Sequence, residues 1–158
     1  MISAIRNGKE AHTAAPIGTL NILLVNSDPD DAWLALRNFE KFDADTLHVV
    51  WNSTEALDYL EHVLSGSDRV RYPEPDAIFI DLSVLEASNF ELLSWLAEKE
   101  HTHAKIPVIV IADYCHGPGV RKVLQLGASA CMEKPVKWAA ALAQVRQLTE
   151  KVSSDKEF

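Results

Sequence analysis

Short apolar runs recur along the chain, and polar residues or segments of helical spacing separate each run from the next. The runs are continuous rather than alternating, which is typical of strands covered on both faces of a sheet. They predict five strands, at residues 22–25, 47–51, 77–80, 108–112 and 128–132. The longest run is far shorter than the roughly 20 residues of a membrane-spanning helix, so we expect no membrane segment.

The segments between these runs carry helix signals. Asp28 is a suitable N-cap, and Pro29 follows it at the first helical position. Gly127 suits the position just after a helix. Helices are predicted from residue 28, after 53, across 90–96, and over about 119–126 and 136–152.

Five strands that alternate with five helices predict an α/β fold, in which a five-stranded parallel sheet is flanked by the five helices on both faces. For a chain of 158 residues the flavodoxin-like strand order 2-1-3-4-5 is the leading candidate. We expect a flexible N-terminal arm at 1–19, one domain at 20–150 and a C-terminal tail at 151–158.

Composition and charge narrow the range of functions. The chain is 47% hydrophobic and carries a net charge of −8 with no Lys/Arg cluster, which argues against nucleic-acid binding. The first twenty residues contain no apolar core for a signal peptide, so we expect a cytoplasmic protein. The two cysteines do not suggest a disulfide framework, and Cys131 is expected to pack as a small apolar group.

Asp81 and Lys134 are the residues with the clearest chemical potential. In open α/β sheets, ligands bind beyond the carboxyl ends of the strands, where the strand order reverses. Asp81 follows the third predicted strand and Lys134 follows the fifth, so the topology should bring them to one edge. A reachable carboxylate paired with a lysine is a workable nucleophile for an aspartyl phosphate, and the lysine would stabilise the phosphoryl oxygens. The alternative is that Asp81 only caps the segment that follows it.

At this point the sequence resembles a known family. Four stretches in order, at 22–31, 78–82, 107–111 and 126–135, are similar to the receiver domains of response regulators, and segments 56–60 and 71–76 resemble the single-domain regulators that partner bacteriophytochromes. The resemblance covers about residues 20–150. It implies the flavodoxin-like receiver fold, Asp81 as phospho-acceptor and Lys134 as a phosphoryl contact.

The metal-binding positions depart from the family pattern. Receivers place two acidic residues after the first strand, where this chain has Asn26 and Ser27. By the resemblance, Asp81 and the carbonyl of Ser83 complete the ligand set. Divalent cations such as Mg²⁺ prefer carboxylate oxygen, and Asp28 is committed as an N-cap, so we expect Mg²⁺ binding to be possible but weak.

The switch positions also differ. Ala112 stands where the family's Thr or Ser contacts the phosphoryl group, and Cys131 replaces the family's switch aromatic residue. The loop after Asp81 has Leu85 and Asn89 at the family's proline and glycine positions, so its shape is open. Trp138, early in the last helix, is more consistent with core packing than with a partner surface.

The sequence therefore predicts a non-enzymatic receiver without an attached output domain, acting in a two-component phosphorelay through weakened Mg²⁺ and phosphoryl binding. Its partner would be a sensor histidine kinase or another signalling protein, and a homodimer is possible; neither nucleic acid nor membrane is expected. The alternative is a phosphate-independent pseudo-receiver for protein interaction or dimerisation. A small flavodoxin-like enzyme or flavin binder is disfavoured, because no Ser/Thr/Gly loop that could cradle a phosphate follows the first strand.

Overall fold

The computed structural model describes residues 2–5, 19–42, 45–99 and 105–156 of the chain. Its strands are β1 (Ile2–Ile5), β2 (Asn21–Val25), β3 (Thr46–Val50), β4 (Ala77–Asp81), β5 (Val108–Ala112) and β6 (Ala130–Glu133). Its helices are α1 (Pro29–Phe39), α2 (Ser53–Ser65), α3 (Leu82–Ala87), α4 (Glu91–Lys99), α5 (Pro118–Gln125) and α6 (Trp138–Lys156). None of the helices in these ranges is long and apolar enough to cross a membrane.

The strands form one sheet in the order β1-β3-β2-β4-β5-β6. The five strands from β2 to β6 are parallel to their neighbours. Without β1, their order is the predicted 2-1-3-4-5, so the fold prediction is confirmed. The switch in strand order lies between β2 and β4, which places the ends of both strands at the expected ligand edge.

Three segments differ from the predictions. β1 pairs antiparallel with β3, so residues 2–5 are part of the sheet and not of an arm. Residue 1 and residues 6–18 of that predicted arm lie outside the described residues. The chain after Asp81 forms the additional helix α3, because the Asp81 side chain caps it. Helix α6 continues through residue 156, so most of the predicted tail is helical, and residues 157–158 are not described.

The core is divided between the two faces of the sheet. Helices α1 and α6 cover one face, and α2 to α5 contribute to the other. On the first face the Trp138 ring lies 5.3 Å from that of Phe39 and 5.0 Å from that of Phe79, with 6% of Trp138 exposed. Its expected role in the core is confirmed. Burial of both faces explains why the strand sequences are continuously apolar.

Local signals fix the start of α1 at the ligand edge and the end of α5 at the opposite edge. Asp28 accepts a hydrogen bond from the backbone N–H of Asp30 at 2.9 Å, and Pro29 opens α1. Gly127 follows α5 with a φ of +112°, a conformation that favours glycine. Both predictions are confirmed, and the Asp28 cap leaves that side chain bound to its own helix.

Candidate functional site

Asp81 and Lys134 meet at the carboxyl edge of the sheet, as the topology predicts. Asp81 is the last residue of β4 and is only 5% exposed. The Nζ atom of Lys134, which follows β6, lies 2.5 Å from Oδ2 of Asp81. A buried carboxylate needs such a partner, because burial without one would favour its neutral form.

The second oxygen of Asp81 accepts hydrogen bonds from a residue close by in the chain. Oδ1 accepts hydrogen bonds from the backbone N–H of Ser83 at 2.9 Å and from its hydroxyl at 2.8 Å. Asp81 is thereby the N-cap of α3. The capping role that the sequence left as an alternative is present in the structure, alongside the pairing with Lys134.

Lys134 has a second carboxylate partner, Asp31, which the sequence analysis missed. Its Nζ atom lies 3.3 Å from Oδ2 of Asp31 on α1. Asp31, Leu34, Ala35 and Asn38 are spaced i, i+3, i+4 and i+7, and all four line a cleft of about 520 Å³ that Lys134 also lines. That spacing was the sequence signal that Asp31 lies on the side of α1 that lines the cleft.

The two carboxylates change the ionisation of the lysine. Burial alone lowers the pKa of Lys134, but the hydrogen bond and charge of Asp81, followed by those of Asp31, raise it above its ordinary value of 10.5. The ammonium group is therefore held in its charged form between Asp31 and Asp81. This arrangement places a positive charge beside Asp81 without a metal ion.

The donors at the expected metal positions fit Mg²⁺ poorly. Asn26 is buried, and its Oδ1 accepts the backbone N–H of Asp28 at 2.9 Å. The side chain of Ser27 is exposed. Ser83 lies in the first turn of α3, where backbone carbonyls accept helical hydrogen bonds. Within the described ranges no three Asp, Glu, His or Cys residues cluster as metal ligands.

The two positions that the resemblance assigned to the switch lie on neighbouring strands. Ala112 ends β5, is 5% exposed, and its carbonyl accepts the backbone N–H of Lys134 at 3.0 Å. Cys131, in β6, forms a disulfide with Cys115. The expectation that Cys131 is simply a small apolar group is wrong: the loop after β5 brings Cys115 beside it, a contact that sequence spacing does not reveal.

Comparisons with known proteins agree with this fold. No protein-family model matches the chain. It is 30% identical over 73 residues to the polar-differentiation response regulator DivK of Brucella ovis, a match that covers 46% of this chain. The chain spans 58% of the length of that curated relative.

Solved structures cover more of the chain. The bacteriophytochrome response regulator AtBRR is 28% identical, with a TM-score of 0.64 over 82% of this chain and 93% of that one. The receiver domain of a signal transduction histidine kinase from Syntrophus aciditrophicus is 25% identical, with a TM-score of 0.64 over 84% and 92%. The response regulator RPA3017, described in red light signaling of R. palustris, shares the fold at 19% identity and a TM-score of 0.64, over 82% and 90%.

The strand order, the Asp81–Lys134 pair and these relatives show that the chain has the receiver fold and is similar to the receiver domains of response regulators. Among these relatives, the bacteriophytochrome response regulator AtBRR is similar over most of the chain.

Proposed function

We propose that the chain receives a phosphoryl group on Asp81 in a two-component phosphorelay, at a site with weakened Mg²⁺ and phosphoryl binding. One observation carries the proposal: a nearly buried carboxylate at the switch of strand order lies 2.5 Å from a lysine ammonium. The ammonium group lies where it would offset the negative charge of a phosphoryl group added to Asp81.

In the proposed reaction a carboxylate oxygen of Asp81 attacks the phosphorus atom of the donor. The new O–P bond forms as the bond between phosphorus and the leaving group breaks. The leaving group takes the electron pair of that bond and then a proton from solvent. Lys134 offsets the negative charge on the phosphoryl oxygens, and one Asp81 oxygen must first give up its hydrogen bond to Lys134 or Ser83.

The other residues of the site explain why we expect phosphoryl transfer to Asp81 to be weak. Phosphoryl transfer depends on positioning and on cations for nearly all of its acceleration. Asn26 and Ser27 supply no negative charge for a metal ion, and Ala112 supplies no hydroxyl for the phosphoryl group. The proposed donor is the phosphohistidine of a sensor histidine kinase, by analogy with the response regulators that the chain resembles.

Intact-mass measurement after incubation with an acyl phosphate and Mg²⁺ tests this proposal. Wild type should gain one phosphoryl group slowly and incompletely, and Asp81→Asn should gain none. Asp113→Asn removes an exposed carboxylate near the same edge and is the matched control, with labelling equal to wild type. Labelling that persists in a folded Asp81→Asn variant would refute the assignment of Asp81.

A second candidate is a phosphate-independent pseudo-receiver that binds a partner protein. It is favoured by the fact that protein donors contact both oxygens of Asp81, while Lys134 is shared with Asp31. This function predicts no label on wild type under any donor, and partner binding that Asp81→Asn leaves unchanged. A label on Asp81 that alters partner affinity excludes it.

Restoring the two carboxylates and the hydroxyl tests whether their absence is the reason for weak phosphorylation. Asn26→Asp, Ser27→Asp and Ala112→Thr together should raise the labelling rate and give saturable Mg²⁺ binding, because they return two carboxylates and one hydroxyl. The effects should be coupled, since the three positions share one site. A triple variant that binds Mg²⁺ but labels no faster than wild type would contradict our account of the weakness.

A further inference from the structure

The disulfide between Cys115 and Cys131 connects a loop to the edge of the sheet. Cys115 lies in the β5–α5 loop (residues 113–117), and Cys131 lies in β6. Their Cα atoms are 5.7 Å apart, a distance that a disulfide spans without movement of the backbone. These are the two cysteines of the chain, so the pairing leaves no other protein thiol to exchange with.

Few other contacts hold the β5–α5 loop. Asp113, Tyr114 and His116 are exposed, and 67% of Tyr114 is accessible to solvent. A Cβ atom built on Gly117 would have no neighbour within 4 Å. The backbone N–H of Cys115 donates to Oε2 of Glu133 at 3.1 Å, and that contact also joins the loop to β6. The position of the loop therefore depends strongly on the link between Cys115 and β6.

The same link lies close to the candidate site. β6 is paired with β5 and is only half-buried, unlike the central strands. Cys131 is three residues before Lys134, and the backbone N–H of Lys134 donates to the carbonyl of Ala112, the residue directly before the loop. The cysteine pair is therefore only three residues along the chain from Ala112 on one side and from Lys134 on the other.

We propose that Cys115 and Cys131 form a thiol–disulfide modification site, whose oxidation by a low-molecular-weight disulfide such as oxidised glutathione fixes the β5–α5 loop against β6. The thiolate of one cysteine attacks a sulfur of the small disulfide, forms a mixed disulfide and releases one small thiolate. The other cysteine then attacks the protein sulfur of the mixed disulfide and releases the second. In sum, two protein thiols and one small disulfide give one protein disulfide and two small thiols, which carry the two thiol protons.

The partial burial of the two cysteines supports reversible formation of their disulfide. Both cysteines are half-buried rather than enclosed, so a small thiol or disulfide can reach them. The inference does not depend on phosphorylation of Asp81, and it can be tested on the unphosphorylated chain.

Thiol counting tests the chemistry. The full chain is reduced, incubated with oxidised glutathione, and alkylated with a maleimide before intact-mass measurement. The reduced chain should take two maleimides, and the oxidised chain none, at the mass of a monomer without glutathione. Cys115→Ser and Cys131→Ser should each stop at one glutathione adduct. Two free thiols, two stable adducts or a disulfide-linked dimer of wild type would each overturn the proposed site.

Hydrogen exchange tests the structural consequence. Reduction should speed amide exchange across residues 113–121 by about tenfold, while exchange in α2 (Ser53–Ser65), which lies away from the bridge, should stay unchanged. The double variant Cys115→Ser/Cys131→Ser should exchange at the reduced rate whether or not oxidised glutathione is present. Equal exchange in reduced and oxidised wild type would refute the fixing of the loop, and this comparison needs no variant to fold.

Discussion

Asp45 and Asp81 are both almost fully buried, and each faces a cation, but they lie at opposite edges of the sheet. Asp45 directly precedes β3 at the amino edge, and Asp81 ends β4 at the carboxyl edge. One Nη2 atom of Arg146 lies 2.7 Å from both oxygens of Asp45, and the backbone N–H of Leu20 donates to Oδ1 at 3.0 Å. This arrangement fixes the C-terminal helix to the start of two strands.

The contacts of Asp81 are arranged differently. Its cation is a lysine, which it shares with Asp31, and its remaining hydrogen bonds come from the neighbouring Ser83. Lysine is a point charge on a long stem, whereas the guanidinium group is a planar fork. Lys134 can therefore leave Asp81 and keep a carboxylate partner, whereas the Asp45 side chain keeps Arg146 as its cation. In the Asp45 pair one carboxylate has one cation, whereas at the carboxyl edge two carboxylates share one lysine.

Removal of Arg146 should cause the largest loss of stability. Arg146→Met leaves the Asp45 carboxylate buried, with the backbone N–H of Leu20 as its one remaining donor among the described residues. We expect the free energy of unfolding to fall by about 2–3 kcal/mol. Urea denaturation measures the change. The exposed Arg121 provides the matched control, since Arg121→Met should change stability by less than about 0.5 kcal/mol. Equal changes in the two variants would contradict a stabilising role for the Asp45–Arg146 pair.

Removal of Lys134 should cost less. In Lys134→Met the Asp81 carboxylate keeps both hydrogen bonds from Ser83, and we expect a loss of about 1–2 kcal/mol. The measurement is again urea denaturation, with the exposed neighbour Lys137→Met as control. A loss larger than that of Arg146→Met would reverse the order of the two pairs.

The pH dependence should also distinguish the pairs. A lysine whose pKa is raised on folding contributes stability that is complete below its unfolded pKa, near 10.5, and is lost as pH rises through the folded pKa. The stability difference between wild type and Lys134→Met should therefore shrink as the pH rises from 9 into the strongly alkaline range. The corresponding difference for Arg146→Met should stay constant, because arginine remains charged there. Parallel pH profiles for the two differences would be inconsistent with this assignment.

Asp31→Asn should have the smallest effect. The Asp31 carboxylate is 35% exposed and lies 3.3 Å from Lys134, so solvent screens the pair and the change should be within about 0.5 kcal/mol. Urea denaturation checks the value, and Asp30→Asn, at an exposed position of the same helix, is the control. A much larger loss would mean that Lys134 depends on Asp31 as strongly as on Asp81.

The sheet was predictable because its signals are local and repeated. Continuous apolar runs identified β2 to β6, and the Asp28-Pro29 cap and Gly127 marked helix ends that the structure confirms. β1 was missed because a four-residue strand at the edge has little pattern of its own and depends on pairing with β3. α3 was missed because its N-cap, Asp81, was interpreted mainly as a phospho-acceptor and not as the start of a helix.

The sequence by itself determined that Asp81 and Lys134 would meet, since both follow parallel strands whose carboxyl ends share one edge of the sheet. Only the tertiary structure decided how their remaining contacts are distributed. Asp31 reaches Lys134 from α1, Ser83 turns back onto Asp81, and Cys115 reaches Cys131 across the end of β5. Of these, the contacts of Asp31 and Cys115 join residues far apart along the chain, and each depends on the angle at which a helix or loop packs against the sheet. The strand pattern fixes the direction of the chain, but it does not fix that angle.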